Sequence, residues 1–105
     1  ITCLANDLGY ENIFSEQLSV KGSKNDLLIV LSGSGNSKNI IKAILTAKKI
    51  RMKTFGVFGF TGGRCKKLVD NYIHYKINDM QISEDIQMIV FNSCIQKLMK
   101  QKLIK

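Results

Sequence analysis

The sequence predicts an α/β fold, a three-layer sandwich around a parallel sheet, and three observations predict it. Apolar runs at Leu27–Leu31, Thr54–Phe60 and Tyr72–Ile77 alternate with segments of helical periodicity. The run Leu27-Leu28-Ile29-Val30-Leu31 shows no polar alternation, as expected of a strand covered on both faces. Glycine-rich loops follow the first two strands, at the carboxyl ends where open parallel sheets place their ligands.

Each element has a local reason. Asn6-Asp7-Leu8-Gly9 is turn chemistry. Tyr10, Ile13, Phe14, Gln17 and Leu18 form a stripe with helical spacing, and Lys21–Asp26 is a loop. After the first strand, Asn36 or Ser37 can cap a helix that buries Ile40, Ile44 and Ala47 and turns Lys38, Lys42 and Lys49 outward. The strand Thr54–Phe60 leads into Thr61-Gly62-Gly63 and a short helix over Arg64–Val69. Asn78–Gln81 reads as a loop after the third strand. Ser83 is expected to cap a last long helix running to about Lys102, with Glu84 and Asp85 in its first turn.

The junction Ser32-Gly33-Ser34-Gly35-Asn36-Ser37 is the most informative segment. A buried strand, a tight loop and a helix N-terminus follow one another there. Unpaired backbone N–H groups and the positive end of a helix dipole converge on one spot, and a phosphate group suits it. The competing reading is a turn and a cap, but three serines and two glycines exceed what capping requires. The third glycine of a dinucleotide fingerprint is absent, and no Gly-Lys-Ser/Thr follows as in a P-loop.

Length and composition bound the rest. The chain has 105 residues, one domain over 1–105, with a formal net charge of +8. Lys48, Lys49, Arg51, Lys97, Lys100 and Lys102 sit at the expected C-terminal ends of helices, where cations complement the dipole. No aromatic-basic interleaving accompanies them, which argues against nucleic acid as partner. Cys3, Cys65 and Cys94 are odd in number and far apart, which reads as reduced thiols in a cytoplasmic protein rather than a metal site. No segment reaches membrane length. The chain opens on Ile1 and not methionine, and Ile1–Ala5 reads as the end of a strand already under way, so a fragment truncated at its N-terminus is expected.

Taken with its flanking motifs, the serine loop resembles that of the sugar isomerase (SIS) domain family, in particular the phosphoheptose isomerase group. Asn6-Asp7-Leu8-Gly9-Tyr10-Glu11 resembles that group's Asn-Asp-Tyr-Gly-Tyr-Glu segment. Gly59-Phe60-Thr61-Gly62-Gly63 resembles its second glycine-rich loop, and Glu84-Asp85-Ile86-Gln87-Met88 the start of its final helix. The resemblance implies a flavodoxin-like sheet with helices on both faces. It also implies an isomerase of carbohydrate metabolism that converts sedoheptulose 7-phosphate to an aldoheptose phosphate, assembled as a tetramer or dimer of identical chains, with zinc as a possible metal. It places the substrate phosphate on Ser32, Gly33, Ser34 and Ser37, the sugar chain on Asn6 and Asp7, and a substrate or metal contact on Glu84.

The sequence also departs from that pattern. The family's opening helices and first strand, with a metal-binding and proton-transferring His and Glu, have no counterpart. The best alignment puts Asn92 where the final helix carries a catalytic histidine and Gln87 at another frequent histidine; the single histidine, His74, lies in a strand and matches neither. Aldose–ketose isomerisation moves a proton between neighbouring carbons, and an amide such as Asn92 offers no basic lone pair for that. Three readings therefore stay open: an isomerase-type phosphosugar domain, inactive as this chain; a non-catalytic phosphosugar-binding or protein-interaction member of the same fold; and a degenerate, truncated gene product with no function of its own. Glu84 and Asp7 also have plain readings, as a first-turn acid and a turn closer. Asn92 can equally be a satisfied polar residue, His74 an ordinary strand residue, and Thr61-Gly62-Gly63 a tight turn.

Overall fold

The structure, a computed structural model, describes residues 9–101. The expectations for Ile1–Ala5, Asn6, Asp7, Cys3 and Lys102 lie outside these residues. A 3-10 turn, Tyr10–Asn12, leads into α1 (Ile13–Lys21); β1 (Leu27–Ser32), α2 (Lys38–Ile50), β2 (Lys53–Phe58), α3 (Gly63–Leu68), β3 (Asn71–His74) and α4 (Met80–Lys100) follow. The three strands are parallel in the order β1-β2-β3, with Val30 opposite Gly56, Ser32 opposite Phe58 and Phe58 opposite His74. Parallel α/β architecture with this alternation is what the sequence predicts.

Two faces of the sheet make the layers. On one, Val30 and Phe58 pack with Ile41 and Ile44 of α2, Cys65 of α3 and Val69 into the main core. On the other, Ile29, Leu31, Phe55 and Val57 face Gln87, Val90, Phe91, Ile95 and Leu98 of α4 across an apolar cleft of about 260 Å³. The α2 helix starts and stops where its sequence requires. Ser37 stands at the N-cap, and Arg51 ends the helix in the left-handed conformation (φ 69°) while its N–H donates to Lys48 O and the Met52 N–H returns to Ala47 O. Lys48 and Lys49 fall in its last turn and Lys97 and Lys100 in that of α4, the dipole-complementing places expected of them.

Four local expectations need correction. First, β1 is not covered on both faces: Leu27, Ile29 and Leu31 remain 56%, 47% and 41% exposed, because α4 leans on β2 and leaves the outer half of the sheet bare. Second, β2 ends at Phe58 rather than Phe60, since the chain turns at Phe60, whose φ is 47°. Third, β3 is shorter than Tyr72–Ile77; past His74 only Tyr75 N–H still reaches Phe58 O (3.0 Å), and Ile77 N–H turns back to Tyr75 O. Fourth, Asp79 and not Ser83 caps α4. Its carboxylate accepts from Ile82 N–H at 3.0 Å, which starts the helix at Met80 and moves Glu84 and Asp85 out of the first turn.

Among the described residues, Cys65 is fully buried and Cys94 exposed, both free. Burial pushes the Cys65 thiol above its ordinary range, with Arg64 opposing. No described helix is long and apolar enough to cross a membrane.

Candidate functional site

The serine loop is held by its own atoms and by the second glycine-rich turn. Ser32, the last residue of β1 and buried, accepts from Gly35 N–H at 2.9 Å through its hydroxyl, and Ser34 Oγ accepts from Asn36 N–H at 3.1 Å. Gly33 O accepts from Gly59 N–H (3.0 Å) and Gly35 O from Cys65 N–H (2.9 Å). Asn36 Oδ1 accepts from Arg64 N–H at 2.9 Å. The loop therefore caps α3: the first three N–H groups of that helix are taken, that of Gly63 by Thr61 Oγ1 (3.3 Å) and those of Arg64 and Cys65 by the serine loop. Thr61–Gly63 is thus a tight turn, and the N-terminus of the helix it leads has little left to offer a ligand.

The N-terminus of α2 differs. Ser37 occupies the N-cap, yet its side chain makes no capping hydrogen bond. Ile40 N–H is taken by Asn39 Oδ1 (2.8 Å), while Lys38 and Asn39 head the helix, where N–H groups have no intrahelical acceptor. The expected capping by Asn36 or Ser37 is thus met in position only, and the Ser37 hydroxyl is available. These groups open on a cleft of about 610 Å³ lined by Gly9, Tyr10, Glu11, Ser37, Lys38 and Asn39. Gly9–Glu11 and Ser37–Asn39, more than twenty residues apart in sequence, meet at this cleft. The Glu11 carboxylate is paired with Lys42 Nζ at 3.1 Å, and Lys42 also donates to Asn12 Oδ1 at 3.0 Å, so the acid at the rim is neutralised from outside.

Of the anticipated site residues, the structure brings Ser37 to the cleft and keeps Ser32 and Ser34 in the loop beside it, their oxygens already accepting and their hydrogens still able to donate. Gly33 packs under Met80, whose sulfur would lie 2.6 Å from a Cβ at that position. Asn6 and Asp7 fall outside the described residues. Glu84 and Asn92 are exposed on α4 and do not line the cleft. Gln87 is buried and donates to Val57 O at 3.3 Å. His74 is a strand residue, as expected. Its Nε2 lies 2.7 Å from Phe60 O and its Nδ1 3.2 Å from Lys66 Nζ, which a single tautomer satisfies.

Sequence reasoning missed Asn36, Lys38, Asn39 and the Glu11–Lys42 pair. Asn36 could have been found from its place between a glycine and a cap; the pair joins residues 31 apart and had no local signal. Ser83, expected to be a cap, is fully buried under Gly59, and its Oγ lacks a hydrogen-bond partner among the described residues. Next to it, burial raises Tyr75 above the ordinary phenol range. Its hydroxyl donates to Ser83 O at 2.9 Å. Among the described residues no three His, Cys, Asp or Glu side chains gather in a metal-binding group. Glu84 stands apart, so these residues alone do not form a cage for zinc.

Comparison with known proteins agrees with this fold. The profile of the SIS domain matches residues 1–59. The phosphoheptose isomerase of Helicobacter pylori (strain ATCC 700392 / 26695) is 38% identical over 100 residues, covering 92% of this chain and 52% of its own length. That of Glaesserella parasuis is 40% identical over 89 residues, covering 85% of this chain and 45% of its own length. Among solved structures, a phosphoheptose isomerase from Francisella tularensis superposes with a TM-score of 0.84 at 28% identity, over 96% of this chain and 56% of that one. One from Neisseria gonorrhoeae gives 0.85 at 25% identity, over 88% and 52%. The chain thus spans about half the length of the curated relatives it matches. With the serine loop inside the matched segment and more than half of its residues covered by the profile, the chain belongs to the SIS domain family.

Proposed function

We propose that this chain is the phosphosugar-binding part of a phosphoheptose isomerase-like protein, one that interconverts sedoheptulose 7-phosphate and an aldoheptose phosphate through an enediol. The observation that carries the reading is the uncapped N-terminus of α2, where a free serine hydroxyl and helix-end N–H groups face a cleft walled by Gly9–Glu11. In this role Ser37 and the backbone of Lys38 and Asn39 bind the phosphate, Ser34 adds a hydroxyl donor, and Ser32 fixes the loop. The sugar chain extends towards Gly9–Glu11 and the preceding Asn6 and Asp7. Holding the phosphate orients the carbon chain, so that proton transfer becomes a matter of position.

The described residues supply binding and not the proton carrier. Glu11 is engaged by Lys42 and His74 by Phe60 and Lys66, while Glu84 lies exposed away from the cleft. The isolated chain is therefore expected to bind sugar phosphates and to turn over sedoheptulose 7-phosphate at no more than the uncatalysed rate. A coupled assay with the purified chain checks this, and clear turnover would contradict it.

In this reading the protein is cytoplasmic and self-associates. Ile29 and Leu31 on the sheet and Met88, Ile89 and Met99 on α4 stay substantially exposed, apolar side chains that an interface between copies would cover. Light scattering is expected to give a dimer or larger; a strictly monomeric species at micromolar concentration would count against it.

A further inference from the structure

The Thr61–Gly63 turn that packs on Gly35 also borders a second hollow. This one, of about 380 Å³, is lined by Phe60, Thr61, Lys66, His74, Lys76 and Asn78. Two of these residues carry ammonium groups and none carries a carboxylate. The acids nearest in sequence are committed elsewhere: Asp79 caps α4 through Ile82 N–H at 3.0 Å, and Asp70 accepts from Thr54 N–H at 3.0 Å. The ion pair among the described residues is Lys42–Glu11, so Lys66 and Lys76 have no acidic partner there.

Lys66 is nevertheless fixed in place. Its Nζ lies 3.2 Å from His74 Nδ1 and 5.4 Å from the centroid of the Tyr72 ring. The other nitrogen of the same imidazole holds Phe60 O at 2.7 Å. Phe60 is in the left-handed region (φ 47°), an uncommon state for a bulky residue that persists only when its surroundings impose it. His74 thus positions both the cation and the strained lip of the hollow. Thr61 Oγ1 accepts from Gly63 N–H at 3.3 Å, which leaves its hydrogen to donate inward.

We propose that this hollow binds a phosphate-bearing small molecule with at least two negative charges, at an anion site separate from the serine loop. Two ammonium groups beside one space, with no carboxylate in its lining and no ion pair to either among the described residues, are neutralised by a dianion. Lysine acts there as a point charge towards phosphate, while the Thr61 hydroxyl and the Asn78 amide supply neutral donors. A space of this size suits a small ligand. No serine-loop residue takes part, so the site stands or falls independently of the function proposed above.

Amide-resolved NMR titration of the chain with inorganic pyrophosphate tests it. The expected result is shifts at Thr61, Lys66, His74 and Asn78, with binding weakened about tenfold by Lys76→Met and by Lys66→Met. Binding read at Thr61, Lys66, His74 and Asn78 should stay within about twofold in Lys67→Met, an exposed lysine of α3 outside the hollow. Lys76 is exposed, so Lys76→Met keeps the test valid should Lys66→Met fail to fold. Unchanged affinity in Lys76→Met, equal weakening by Lys67→Met, or shifts confined to residues 34–39 would each overturn the proposal. Repeating the titration with adenosine diphosphate and with a sugar bisphosphate identifies the carrier. The one that gains affinity over pyrophosphate while keeping its dependence on Lys76 is supported, and loss of that dependence in both overturns the site.

Discussion

Gly35→Ala is expected to destabilise the chain by about 3–5 kcal/mol, a large part of the 5–15 kcal/mol that holds a typical domain folded. Gly35 has φ 71°, and a Cβ placed there would run into the carbonyl oxygen of Gly62. The obstacle is backbone and not the end of a flexible side chain, so relief requires moving the whole Thr61–Gly63 turn. Such a move would stretch the Cys65 N–H bond to Gly35 O (2.9 Å) and the Arg64 N–H bond to Asn36 Oδ1 (2.9 Å), uncapping α3. The left-handed backbone adds about 1–2 kcal/mol for any residue with a Cβ. Urea denaturation followed by circular dichroism measures the loss. A variant within about 1 kcal/mol of the parent would mean that the two turns are not packed against each other as described.

Phe58→Ala is expected to cost about 3–5 kcal/mol, the range for emptying an aromatic site in a core that cannot collapse around it. Phe58 is fully buried, lies across the face of Gly56, and joins Val30, Ile41, Ile44, Cys65 and Val69 in one cluster. It also stands opposite Ser32 in the sheet register, so its loss loosens the strand end from which the serine loop springs. Phe58→Leu keeps most of the volume and should cost less than about 1.5 kcal/mol. Equal costs for the two variants in the same urea experiment would argue against a tightly packed site at Phe58.

Elements set by local chemistry were legible in the sequence. The apolar run Leu27–Leu31 lies within β1, and the spacing of Ile40, Ile44 and Ala47 marks α2, whose ends at Ser37 and Arg51 follow from backbone chemistry within a few residues. What failed depended on three-dimensional neighbours. The seemingly two-sided apolarity of β1 describes what the strand could bury; its outer face, Leu27, Ile29 and Leu31, stays bare because α4 settles over β2. Ser83 and Asp79 are both good caps in isolation, and the turn after Ile77 selects Asp79 while Ser83 is drawn beneath Gly59.

The candidate site divides the same way. The serine loop announced an anion site, but only the structure tells its three hydroxyls apart. Ser32 and Ser34 accept from their own loop, and Ser37 is left free. Likewise, Gly62-Gly63 and Gly33-x-Gly35 look alike as text. One heads a helix whose first N–H groups are consumed by Gly35 and Asn36, the other a helix whose first N–H groups open on a cleft. The exposure of Glu84 and Asn92 could not be read from the periodicity of α4, because Met88 and Ile89 are exposed as well.

The measurement that bears most directly on the phosphate site is an amide-resolved NMR titration of the chain with sedoheptulose 7-phosphate, run in parallel on Ser37→Ala. Shifts are expected to centre on Ser37, Lys38 and Asn39 and to reach Gly9–Glu11, with affinity reduced about tenfold in the variant, the worth of one charge-assisted hydrogen bond. Undisturbed amides at the head of α2, or a variant that binds as tightly as its parent, would contradict a phosphate held there.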